Sequence, residues 1–312
     1  MKKVTKRFDR SVEDFGNVVG LEHVNLTVAD HHTATLFYIT GLGFTRDPYL
    51  NTGVRNMWVN MGRNQFHLPV TMAGQTPQVL RGRIGMVVPD PSATARTLAM
   101  VQEPLKKTKF AFKVRNSRID VTCPWGNQLR VHAPDPDFGK IQLGIPYVEF
   151  DVPMGAAEGI ARFYSDVLGA FTSVEGGAGK NGAKNGSAKK GAAKAAHVTV
   201  GCRQFLIFRE TDAPLPDYDG HHIQLYVANF SAPHKKMICL GLEMQESNQF
   251  QYRFYDIVDP KSGKKLFRLE HEIRSMTHPM YARPLVNRNP AINNNAYASG
   301  YESLSYAPPY SA

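Results

Sequence analysis

The groups in this chain best able to do chemistry are imidazoles. Of the 11 histidines, His23 and His67 fall inside the short strand-like runs LEHVNLTV and NQFHLPV. His132 follows Arg130 by two residues, His222 stands beside His221, and His271 lies between Glu270 and Glu272. Neutral imidazole, alone or with carboxylate, holds divalent Fe, Mn, Ni, Co or Zn, and imidazole also moves protons near neutral pH. Arg83 and Arg130 cannot ligate a cation, because guanidinium stays protonated, but its fork suits carboxylate or phosphate. Trp58 offers a stacking face and Tyr147 a phenol. The chain contains no HExxH helix, CxxC pair, phosphate-cradling glycine loop or nucleophile elbow.

These residues need strands to position them. Residues 21–28 alternate, with Val24, Leu26 and Val28 on one side and His23, Asn25 and Thr27 on the other, the period of a half-buried strand. Asp30 then offers an N-cap to a helix carrying Leu36, Phe37 and Ile39, which ends at Gly41-Leu42-Gly43. The pattern returns at an offset of 126, where Phe163-Tyr164 repeats Phe37-Tyr38 and Leu168-Gly169 repeats Leu42-Gly43. Strand, helix and three strands make the first module, with strands at 44–49, 55–60 and 65–69. A second module spans 83–133, with a helix at 91–101. A third opens at 147–152 with a helix at 156–168, and a fourth opens at 221–227 with a helix at 231–241. The expected class is α+β, built of tandem β-α-β-β-β modules. In chain order these make a leader (1–19), one domain (20–135), a connector (136–144), a second domain (145–277) and a tail (278–312).

Composition narrows the function classes. An apolar share of 42% and a charged share of 21% are those of a globular chain, and 312 residues suffice for two cores. No apolar run approaches the roughly 20 residues a membrane helix needs, and the basic N-terminus lacks the apolar stretch of a secretory signal. Three cysteines at unpatterned spacing suit reduced thiols and a cytoplasmic location. The net charge of +10 is concentrated in a Gly-, Ala- and Lys-rich segment (176–196) that cannot bury a core and reads as a mobile loop. Nucleic acid and membrane are therefore not the expected partners; a small molecule is, with the protein a monomer or homodimer.

LEHVNLTVAD with FYITGLGF, IPYVEFDVP with FYSDVLGAF, FLIFRETD, CPWGNQLRVHAP and DPKSGKKLFRLEHE recur in an order that resembles the vicinal oxygen chelate superfamily. That family includes glyoxalase I, extradiol dioxygenases and bleomycin-binding proteins. The resemblance covers residues 21–275 and implies two glyoxalase-like domains with cup-shaped mixed sheets, each cup closed by two modules.

It also implies metal ligands on the first and last strands of each module. In the first half those places fall on His23, His67, Arg83 and Arg130, with His132 a stand-in ligand on the face of Arg130. In the second half they fall on Tyr147, Leu206, His222 and Phe267, with His271 at the parity of Phe267 and Glu270 inward only through a bulge. The resemblance implies a metal-dependent lyase, isomerase or dioxygenase acting on a small oxygenated molecule. His23, His67, His222, His132 and His271 are its metal candidates, and Tyr147 and His222 its acid-base candidates. The alternative is a metal-free cup for an anionic or aromatic ligand, held by Arg83 and Arg130 with Trp58 stacking.

Overall fold

A computed structural model of the chain describes residues 8–14, 16–49, 53–176 and 193–288. The first module has β1 (Val18–Asn25), α1 (His31–Ala34) continued by a π-helical turn (Thr35–Gly41), β2 (Thr45–Arg46), β3 (Asn56–Met61) and β4 (Asn64–Pro69). The second has β5 (Gly82–Val87), α2 (Pro91–Met100), β6 (Ala111–Val114), β7 (Arg118–Thr122) and β8 (Gln128–His132). The third has β9 (Gly144–Pro153), α3 (Ala157–Phe163) with a π-helical turn (Tyr164–Leu168), β10 (Thr172–Glu175), β11 (Ala195–Gly201) and β12 (Gln204–Thr211). The fourth has β13 (His222–Val227), α4 (Ser231–Cys239), β14 (Met244–Asn248), β15 (Gln251–Val258) and β16 (Lys265–Ser275).

The caps act where the sequence places them. Asp30 accepts from the Thr33 amide at 2.7 Å, and Asp90 from the Ala93 amide at 3.0 Å, ahead of Pro91 in the first turn. The repeated aromatic pair has a physical cause. Tyr38 and Tyr164 are fully buried, and their carbonyls accept from the Phe44 and Ala170 amides, each at 3.0 Å.

The strands among the described residues form two eight-stranded sheets, ordered β14-β15-β16-β13-β1-β4-β3-β2 and β10-β11-β12-β9-β5-β8-β7-β6. Thus the first module shares a sheet with the fourth, and the second with the third. The halves 20–135 and 145–277 do not each close a sheet of their own, which corrects the pairing expected from chain order. Each joint is an antiparallel pairing of opening strands, β1 with β13 and β5 with β9. All four modules offer the same kind of edge, so a repeat cannot say which edges meet. Neighbours in sequence tend to pair, and here a nested order prevails.

The apolar faces of both sheets, with the helices, enclose one continuous core. Phe267 of β16 lies 6.0 Å from Phe150 of β9 and 6.1 Å from Phe208 of β12, ring centre to ring centre. Polar side chains occupy the opposite face of each sheet, where a cup would open. No helix among the described residues is long and apolar enough to cross a membrane.

The chain after β16 stays attached. Asn287 accepts from the Gly62 amide and donates to the Gly62 carbonyl, both at 2.8 Å, while Arg283 pairs with the buried Asp47 at 2.7 Å. Residues 1–7 of the leader, 177–192 of the Lys-rich loop and 289–312 of the tail lie outside the described residues.

Gly62 turns β3 into β4 with φ of +65°, and a β-carbon there would stand 1.9 Å from the Leu143 carbonyl oxygen. Gly62→Ala must therefore carry backbone strain and push the connector away. We expect a loss of about 1–3 kcal/mol in denaturant titration.

Candidate metal centre

A bulge in β1 builds the site. Across the β1–β13 joint Leu21 faces Leu225 and Val24 faces Ile223, so β1 carries one extra residue over this stretch. Leu21 and Val24 both enter the core, and Glu22 and His23 both turn to the polar face. Asn25 next on β1 faces His222 of β13 on one side and His67 of β4 on the other. One potential ligand atom from each of His23, His67 and His222 lies within 4.8 Å of the other two. Imidazoles that bond one ion at about 2.0–2.1 Å would need to draw inward only slightly from this spacing.

The hydrogen bonds select the nitrogens. His23 Nδ1 donates to Glu22 Oε2 at 3.2 Å, leaving a buried Nε2 without a partner. His222 Nε2 is likewise buried and unpartnered, and its Nδ1 is 3.6 Å from Glu270 Oε1. His67 donates from Nε2 to Asn56 Oδ1 at 3.2 Å, which leaves Nδ1 as its lone-pair nitrogen. Its ring stacks on Trp58 with centres 4.0 Å apart, and Trp58 meets His23 edge-on at 5.1 Å. Trp58 therefore braces the imidazoles and is 7% exposed, rather than presenting a free stacking face.

Burial drives His23 and His67 down to about 3 and His222 well below its ordinary value, the nearby Arg253 and Arg274 adding to each effect. All three rings are then neutral at pH 7, with lone pairs available. Orphaned buried nitrogens on neutral, convergent imidazoles are what a divalent first-row ion requires, so these residues fit one.

Carboxylates stand beside the cluster, held by arginines. Glu272 Oε2 lies 3.8 Å from His222 Nε2, and Arg253 bridges Glu270 and Glu272. Arg274 lies 2.6 Å from Glu272 and donates at 2.8 Å to Glu22, which also accepts from Tyr226 at 2.9 Å. Glu22, Glu272, Arg253 and Arg274 were not among the sequence-predicted residues. Plain alternation along β16 could have found two of them: Phe267, Leu269, His271 and Ile273 enter the core, which leaves Glu270, Glu272 and Arg274 on the polar face. The bulge that re-aims Glu22 leaves no mark in the sequence.

The other sequence-predicted residues lie elsewhere. Phe267 and Leu206 are core residues, so neither occupies the cup position expected of it. His271 is fully buried on the core face, donating from Nδ1 to the Leu269 carbonyl at 2.8 Å and accepting at Nε2 from Tyr164, which removes it from the metal set. His132, Tyr147, Arg83 and Arg130 are on the second sheet, where His132 Nε2 is 3.0 Å from the Tyr147 hydroxyl. Tyr147 is thus not a partner of His222, nor His132 of His23 and His67.

Burial also brings His271 to about 3. Unfolded imidazoles titrate near 6.5, so between about pH 6.5 and 3 the unfolded chain binds more protons than the folded one. Stability of the metal-free protein must fall as pH drops through that window and level off above it. Thermal melts from pH 8 to 4 should show this, and His271→Phe should flatten the acid slope.

The sequence matches no family model and no curated protein. Among solved structures, a putative dioxygenase from Bacillus subtilis is similar at 12% identity and a TM-score of 0.52, over 84% of this chain and 86% of that one. A glyoxalase I mutant from Zea mays is similar at 12% identity and 0.52, over 82% of this chain and 92% of that one. Four strand-helix-three-strand modules, two eight-stranded mixed sheets and these structural likenesses agree: the chain has the fold of the vicinal oxygen chelate superfamily.

Proposed function

We propose that the chain is a divalent-metal-dependent enzyme, a lyase, isomerase or dioxygenase, acting on a small molecule with two adjacent oxygens. The observation that carries this reading is the convergence of His23, His67 and His222, which bring one potential ligand atom each within 4.8 Å of the others while His23 Nε2 and His222 Nε2 are buried without a partner. Those three imidazoles are the ligands we assign, with Glu272, the carboxylate beside the unpartnered Nε2 of His222, our choice for a fourth. A bound ion would supply Lewis-acid polarisation of substrate oxygens or, if redox-active, electron transfer to dioxygen. Glu22 sets the tautomer of His23, and Asn56 that of His67. Burial pushes the Glu270 carboxyl up, which suits it to exchange a proton with a substrate in the same cup.

The metal-free reading required Arg83, Arg130 and Trp58 around one ligand, and they lie on different sheets. A small-molecule partner and a cytoplasmic location remain part of the proposal, the second supported by the free thiols of Cys123, Cys202 and Cys239.

The test is elemental analysis of protein purified without added metal, where near-stoichiometric Fe, Mn, Ni, Co or Zn is expected. Metal-free protein that also shows no rise in melting temperature with any of these ions would remove the enzyme reading. A true site at a hundredfold excess over Kd adds about 2.7 kcal/mol.

A further inference from the structure

We propose that the polar face of the second sheet is a separate binding site for a small organic anion, a carboxylate carried on an apolar body. The argument begins with strand register. In the first sheet Asn25 faces His67 on β4 and His222 on β13. In the second sheet Gly85 faces Arg130 on β8 and Tyr147 on β9. Setting Gly85 on Asn25 places Arg83 where His23 stands, Arg130 where His67 stands, and Tyr147 where His222 stands. The acids Glu270 and Glu272, which β16 sets opposite His222 and Gln224, become Phe205 and Ile207, which β12 sets opposite Tyr147 and Glu149. The same scaffold thus carries the opposite chemistry, with cation ligands replaced by guanidiniums and a phenol, and carboxylates by an apolar wall.

Charge on this face leaves capacity for an anion. Glu149 is shared by Arg83 at 3.1 Å and Arg209 at 3.3 Å. Asp120 is held by Arg118 at 2.8 Å and Arg115 at 3.1 Å. Arg130 approaches Asp120 at 3.7 Å with its side chain 28% exposed, and it also hydrogen-bonds the Tyr147 hydroxyl beside it. With five N–H donors its guanidinium keeps capacity for a carboxylate beyond these two contacts.

Gly85 lets the Tyr147 ring lie across the sheet, because a β-carbon there would stand 2.2 Å from the ring. The Tyr147 hydroxyl meets His132 Nε2 at 3.0 Å. If that nitrogen carries the imidazole proton, it donates to the phenol oxygen, and the phenol hydrogen is free for an incoming acceptor. Arg130 and Tyr147 then supply two directed donors, with Phe205 and Ile207 alongside for the apolar part.

Isothermal titration of the full chain with benzoate and with its neutral counterpart benzamide tests the site. Saturable binding of benzoate and none of benzamide is expected. Arg130→Gln should weaken benzoate by about tenfold or more, the scale of one charge-assisted fork, and Arg130→Lys should recover only part of that loss. Tyr147→Phe gives an independent reduction should Arg130→Gln fold poorly. His222→Ala should leave benzoate affinity unchanged, which separates this site from the metal proposal. Equal binding of benzamide, no saturable benzoate binding, or a loss in His222→Ala rather than in Arg130→Gln would each overturn the assignment.

Discussion

His222→Ala is expected to abolish divalent metal binding, measured as metal content after dialysis and as loss of the metal-dependent rise in melting temperature. The cluster offers three imidazoles, and His222 is the one whose unpartnered Nε2 has a carboxylate beside it, Glu272 at 3.8 Å. Losing it leaves two nitrogens on one side of the ion. His23→Ala should act the same way. Glu22→Gln should act more gently, because it removes only the carboxylate that orients His23 at 3.2 Å. Partners of that kind are worth about 10–100-fold in metal affinity. His132→Ala is the control: its ring hydrogen-bonds Tyr147 on the other sheet, so metal content should not change. Equal loss in His132→Ala would mean that the metal does not sit among His23, His67 and His222.

How much of this was legible in the sequence follows from what each signal measures. Periodicity reports local geometry, so the four modules, their opening strands and the helices begun at Asp30 and Asp90 could be read directly. The edge strands β10 and β14 could not, since TSVE and MQESN are short, exposed and polar and carry no alternating face. Pairing is a long-range property: nothing in LEHVNLTV says that β13, some 200 residues on, will lie beside it. His23, His67 and His222 were each named as ligand candidates, yet in different halves, because the nested order of modules is invisible to a repeat. Along β16, a parity counted from Phe267 puts His271 in the cup, but Phe267 is a core residue and it is Glu270 and Glu272 that stand beside His222. The alternation of apolar Phe267, Leu269 and Ile273 was the better guide. Glu22 needed the bulge, and a bulge is decided by two strands together.

Arg274→Met should be the most destabilising single change in the cup that leaves all three histidines in place. Arg274 is 7% exposed and serves Glu22, Glu272 and Gln251 at 2.8, 2.6 and 3.0 Å. Its removal takes the guanidinium from two buried carboxylates, and one of them has a second. Glu272 keeps Arg253, while Glu22 keeps hydrogen bonds from Tyr226 and His23 and the more distant charge of Arg283. Breaking a buried ion pair from one side costs about 3–5 kcal/mol, because the remaining charge stays desolvated. Burial already pushes the Glu22 carboxyl up and Arg274 holds it back down. In the variant Glu22 must titrate at still higher pH, so part of the loss should return as pH is lowered until Glu22 is protonated. Pairing the change with Glu22→Gln removes the stranded charge, and the double variant should be more stable than Arg274→Met alone. Denaturant midpoints of the metal-free proteins decide it. A loss below about 1 kcal/mol, the scale of an exposed pair, would mean that water reaches this network and that the cup is open at Glu22.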